Sequence, residues 1–167
     1  MIQLSEQVNP DYIILVEDIL SDADFQSLEQ YRQHISSNRL QHCINVSYLS
    51  WWLARKMNAD ERMAARAGLL HDFCMYDFYD PANACNESQL LHHPKVAAET
   101  SRSHFEISQI EYEAILTHMY PFGPRPLSKV GWIVSHADKM SAFSEMTHVR
   151  LGLNRRGRLI PLCGNCA

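Results

Sequence analysis

Apolar residues recur along this chain at the three-and-four spacing of an α-helix, and no stretch alternates apolar with polar as a half-buried strand must. The clearest case is "RLQHCINVSYLSWWLA", in which His42, Val46, Leu49 and Leu53 fall at i, i+4, i+7 and i+11 and line one side of a helix. Such a stripe has to be buried against other helices. The expected fold is therefore all-α, a compact helical bundle. At 167 residues it is long enough to bury about two thirds of its unfolded surface in one domain, residues 1–167.

Local signals divide the chain. Residues 11–35 read as one or two helices carrying "YIILVEDIL" and "FQSLEQYRQHI". Ser37 or Asn38 can cap a helix over about 40–57, and Asn58 opens one over about 59–71, with Asp60 and Glu61 in its first turn. The small residues of "AARAGLL" permit a close helix contact just before His71. Residues 73–92, with Pro81 and clustered aromatics, read as a loop. His93-Pro94 is expected to start a helix, because proline suits the first helical position. Ser108 and Glu111 make a capping box for a helix running to about Met119, and Ser128 caps a last long helix over about 128–146.

Composition narrows the partners. A net charge of −4 argues against dedicated nucleic-acid binding. Arg150, Arg155, Arg156 and Arg158 stand without an acid in residues 147–167, a basic tail expected to be solvated or loosely docked. No signal peptide or membrane-length apolar run is visible, and five scattered cysteines suit a reducing cytoplasm. Cys163 and Cys166 have the spacing of half a zinc site but lack a second pair. Trp51-Trp52 turns one ring inward and leaves the other for a partner, a hint of a homodimer.

The chemistry lies in what the helices carry inward. In order these are His42, His71–Asp72, His93, His118 and Asp138, each on a helix face or at a helix end. A carboxylate facing a core costs several kcal/mol unless it is paired or coordinated. Imidazoles and carboxylates drawn from separate helices are a standard way to hold divalent metals inside a bundle.

This pattern resembles the HD-domain superfamily of metal-dependent phosphohydrolases. The resemblance covers about residues 38–146, with an N-terminal helical extension, 1–37, before it. It runs through "RLQHCINVSYLSWWLA", "AARAGLLHDF", "HHPKVAAE", "AILTHMYP" and "IVSHADKMSA". The family minimum falls on His42, His71, Asp72 and Asp138. His93 and His118 mark the branch that holds two metals, similar to bacterial diadenosine-polyphosphate hydrolases and other small bacterial HD proteins. His93 is preferred to His92 because it aligns with the histidine that opens a helix in relatives.

The resemblance implies two divalent ions. Asp72 would bridge them, with His42, His71 and Asp138 on one and His93 and His118 on the other. Iron or manganese suits this donor set best, zinc is an option, and magnesium suits it less. A metal-activated water would cut a phosphomonoester or phosphoanhydride, expected to be that of a nucleotide. Lys95, Arg125 and Lys139 are the candidate phosphate grips, with Lys139 and Asp77 also candidates for the chemistry itself. Two other readings are a di-iron oxygenase of the same superfamily and a non-catalytic module that binds metal or nucleotide.

Overall fold

The computed structural model describes residues 9–33, 37–83 and 87–147, and the backbone of 150–153 and 159–162. Two short N-terminal helices, α1 (Pro10–Leu20) and α2 (Ala23–Gln26), lead through a 3-10 turn at Ser27–Gln30. The bundle proper follows as α3 (Arg39–Met57), α4 (Glu61–Leu70), α5 (Gln89–His104), α6 (Gln109–Thr117) and α7 (Lys129–Met146). Beyond α7 lies an antiparallel hairpin, β1 (Arg150–Leu153) and β2 (Leu159–Leu162), which pairs Arg150 with Leu162. The all-α expectation did not include this hairpin, since neither strand alternates cleanly. Arg155, Arg156, Arg158, Cys163 and Cys166 lie outside the described residues.

One large core and a small second cluster of Val46, Leu49 and Ala137 hold the helices together. Tyr12, Val16, Ile19, Phe25 and Leu28 of the N-terminal segment are buried in the same cluster as Leu40, Leu69, Leu70, Phe73, Ile115 and Ile133. The segment from Tyr12 to Leu28 therefore packs against the bundle. Trp51 is buried and Trp52 half-buried, as their adjacency on a helix requires. No described helix is long and apolar enough to cross a membrane.

Caps set the boundaries. Asn38 accepts the Gln41 N–H at the start of α3, and Ser108 and Glu111 form the full capping box of α6. Two expected starts move. Asn58 takes the left-handed conformation (φ 51°) that ends α3, and Asp60 caps α4 by accepting the Met63 N–H. Ser88, five residues before His93, starts α5, so Pro94 lies inside that helix. The proline removes one hydrogen bond, to the carbonyl of Leu90. Leu90 is 45% exposed, so solvent is at hand to take that carbonyl.

Helices α3 and α4 pack closely at Gly68, one of the small residues before His71. A Cβ on Gly68 would lie 3.0 Å from Ser47 Cα and 2.9 Å from Ser50 Oγ. The glycine lets α4 run against α3, and α4 ends directly at His71 and Asp72.

Candidate metal centre

Five elements converge on one buried cluster. His42 comes from α3, His71 from the C-cap of α4 with Asp72 in the turn after it, and His93 from α5. His118 is the C-cap of α6 and Asp138 lies in α7. All six are buried. His71 and His118 solve the same local problem. The last carbonyls of a helix lack partners, and each ring donates its Nδ1–H to the carbonyl three residues back, Gly68 at 2.8 Å and Ile115 at 2.7 Å. The rings are thereby locked, and two helix C-termini, whose dipoles favour cations, end at the cluster.

His93 is locked the same way, by Nδ1–H to the Gln89 carbonyl at 2.6 Å. His42 donates Nδ1–H to the Glu145 carboxylate, 3.1 Å from each oxygen. With every Nδ1 committed as a donor, the four Nε2 atoms turn toward one another. His93 and His118 Nε2 are 2.9 Å apart, and His42 and His71 Nε2 are 3.3 Å apart.

Asp72 sits between the two imidazole pairs. Its Oδ1 is 3.3 Å from His93 Nε2 and 3.6 Å from His118 Nε2, while Oδ2 is 3.5 Å from His71 Nε2. The ligand atoms of His42, His71 and Asp72 all lie within 4.8 Å of one another, and so do those of Asp72, His93 and His118. Asp138 Oδ1 joins the first group, 3.1 Å from His42 Nε2 and 3.7 Å from His71 Nε2.

The arrangement fits metal ions. Lone pairs facing at such distances repel unless a proton or a metal lies between them. Asp72 Oδ1 is buried and accepts no hydrogen bond among the described residues, a costly state for a carboxylate oxygen. Cys43 and Cys74 are buried beside the cluster, and burial pushes both thiols up, so they stay protonated. Cys74 donates its thiol to the His93 carbonyl at 3.4 Å.

Electrostatics sort the imidazoles. Burial disfavours a charge on His42, but the Asp138 and Glu145 carboxylates on its two nitrogens win and raise it to about 10. His118 goes the other way, to about 3, through burial and the neighbouring His71 and His93. Burial also lowers His71, whereas the adjacent Asp72 lifts His93. Burial would raise Asp72 and Asp138, yet the imidazoles around them hold both carboxyls well below their usual range.

The other expected residues have contacts of their own. Lys139 donates to the His118 carbonyl at 2.6 Å and lies 3.3 Å from Asp138 Oδ2, with 39% of its side chain exposed. Lys95 pairs with Glu87 at 2.8 Å, with 58% of its side chain exposed. Arg125 is exposed, its guanidinium 5.7 Å from the centre of the Trp132 ring. Asp77 accepts the Tyr79 N–H at 2.9 Å, a turn within its own loop. His92 turns to Glu87 at 3.3 Å, away from the Nε2 cluster that His93 enters. His136 is exposed and donates to the Trp132 carbonyl.

Three contributors escape the sequence pattern. Glu145 holds His42 and accepts from Ser37 and Asn45. Gln33 donates to Asp72 Oδ2, and Arg39 supports Gln33. Glu145 falls seven residues after Asp138, on the same side of α7, and Arg39 three before His42. Charged residues on those buried stripes were the available signal. Gln33, in a loop, offered none.

Comparison with known proteins bears on the same segment. A family model described as HD domain matches residues 39–142. Ribonuclease Y of Alkaliphilus metalliredigens is 31% identical over 113 residues, covering 68% of this chain and 22% of the relative. Ribonuclease Y of Lactobacillus helveticus is 32% identical over 114 residues, covering 68% and 19%. That of Desulforudis audaxviator is 46% identical over 43 residues, covering 26% and 8%. The chain thus spans between 8% and 22% of these curated relatives. No solved structure matches.

Proposed function

Since this chain belongs to the HD domain family, we propose that it is a metal-dependent phosphohydrolase whose ligands are His42, His71, Asp72, His93, His118 and Asp138. The observation that carries this reading is the division of the Asp72 oxygens, one toward His71 and the other toward His93 and His118. A carboxylate divided in this way would suit a bridge between two ions. Two divalent ions held there would lower the pKa of a water between them and neutralise the oxygens of a phosphoryl group. Iron and manganese suit a set of imidazoles and carboxylates without thiolate; zinc is an alternative and magnesium a weaker one.

The chain's own residues do the rest. The fixed Nδ1 bonds present every Nε2 in one orientation before any ligand arrives, so little reorganisation is needed. Lys139 steadies Asp138 and brings a partly exposed ammonium to the edge of the centre, where a substrate phosphate can meet it. Lys95, paired with Glu87, and Arg125, over the Trp132 ring, are the other candidate cations for a longer or more highly charged substrate. Asp77 serves its loop, and no step is assigned to it.

A nucleotide phosphomonoester or phosphoanhydride is the leading substrate class. Tyr79 and Phe122, each 68% exposed, are available to stack on a base. A second reading, an RNA phosphodiester, rests on the relatives that carry the name Ribonuclease Y.

The test is a panel of mononucleotides, dinucleoside polyphosphates and short RNAs incubated with metal-loaded protein. Released phosphate and shortened RNA are scored with and without O₂, and with chelator. Turnover that needs metal and ignores O₂ supports the hydrolase, and the substrate turned over chooses between nucleotide and RNA. O₂-dependent turnover would replace the hydrolase with the oxygenase. Metal and nucleotide binding without turnover would leave a binding module.

A further inference from the structure

Three histidines of the centre are held by their own helices and His42 by Glu145 of α7, but Asp72 lies in a turn after α4 and is held from elsewhere. Gln33, in the segment before α3, donates its amide to Asp72 Oδ2. Gln33 is itself fixed at each end. Arg39 Nε donates to Gln33 Oε1 at 3.0 Å, the Gln33 N–H meets the Ser37 carbonyl at 3.1 Å, and the Tyr79 hydroxyl donates to the Gln33 carbonyl at 3.1 Å.

Arg39 is a completely buried arginine with a structural setting of its own. It donates to the carbonyls of Cys74 at 2.6 Å and Tyr76 at 2.7 Å, just past Asp72, and lies 3.6 Å from the centre of the Phe78 ring. One side chain thus grips the chain on both sides of the carboxylate, through Gln33 before α3 and through the Cys74–Tyr76 backbone.

We infer that Gln33 is a positioning residue for the metal centre: with Arg39 behind it, it fixes the rotation of the Asp72 carboxylate so that each oxygen faces one ion. The inference rests on the two-ion reading above. It adds a component from outside the family segment, since Gln33 precedes the matched residues 39–142. Without the amide, the carboxylate is free to rotate about its terminal bond, and its two oxygens no longer stay divided between the histidine groups. A broad torsional well for that bond makes the loss of one directing hydrogen bond consequential.

The experiment is titration of metal-free protein with Mn²⁺, followed by calorimetry and by the electron paramagnetic resonance signal of free Mn²⁺. Wild type is compared with Gln33→Met, which keeps length and packing but has no donor. Gln33→Asn, polar but a methylene short, stands in if the methionine variant fails to fold. Circular dichroism and the melting temperature of the metal-free proteins report on the fold. The expected result is a folded variant that binds Mn²⁺ about 10–100-fold more weakly, the usual effect of losing a partner behind a metal ligand. A lowered melting temperature with wild-type Mn²⁺ affinity would overturn the inference, because a merely structural glutamine behaves that way. Wild type that binds no Mn²⁺ would instead overturn the two-ion reading beneath it.

Discussion

Replacing Gly68 with alanine sets two effects of opposite sign against each other. Within a helix, alanine is favoured over glycine by about 0.8–1.0 kcal/mol, so propensity alone forecasts a more stable protein. The new Cβ would lie 3.0 Å from Ser47 Cα and 3.2 Å from Ser47 N, against 3.4 Å or more for ordinary contact. Ser50 Oγ, at 2.9 Å, can rotate away, but the Ser47 backbone cannot. Helices α3 and α4 must therefore separate by about 0.4 Å along their closest line. Overpacking of this kind costs about 1–3 kcal/mol, leaving a net loss of up to about 2 kcal/mol once propensity is subtracted. For a domain of this size the melting temperature should fall by up to about 8 °C. The assay is thermal unfolding followed by circular dichroism, with Gly123→Ala as control, since nothing there comes closer than 3.5 Å. A rise in melting temperature for Gly68→Ala would refute the close-contact argument.

Other consequences are equally open to measurement. Asp72→Ala should abolish binding of both metals, whereas His136→Ala should change neither metal content nor turnover; elemental analysis of both variants decides. His93→Ala should lower the metal count and His92→Ala should not, since only His93 reaches Asp72. Arg66→Ala removes the guanidinium whose Nε lies 3.4 Å from buried Glu111 and whose Nη1 bonds Asp18 at 2.6 Å; leaving the Glu111 carboxylate buried with the Ser108 N–H but no counter-charge should cost about 3–5 kcal/mol in urea unfolding. Burial would raise Asp18, but the Arg66 hydrogen bond and charge prevail and lower it. Its contribution to stability is thus full above the ordinary carboxylate range and fades as pH falls through its lowered folded value. Asp18→Asn should flatten the acid limb of the stability profile, and an unchanged limb would contradict the assignment.

Much of the site could be read from spacing because helical period alone decides which residues face inward. His42 is reached from Val46 and Leu49, and Asp138 from Val134, on buried stripes that the structure retains. Ile110, one turn before Ala114 on the side of α6 that leads to His118, is nevertheless 42% exposed, because α6 begins at Gln109 and its first two residues stand at the surface. Where α5 begins was hidden by a competition that local rules do not settle, the proline at position 94 against the Ser88 cap. Gln33 and Glu145 were hidden for a different reason. Each meets its partner across a long sequence separation, Gln33 to Asp72 and Glu145 to His42, and only the packed bundle makes them neighbours.

The most direct test of the central claim is metal content per chain, measured by elemental analysis of untagged protein purified anaerobically without chelators. The shared Asp72 predicts two equivalents, iron or manganese foremost. One equivalent would break the bridging assignment and leave His93 and His118 to another task. None, even after reconstitution, would contradict the account at its root.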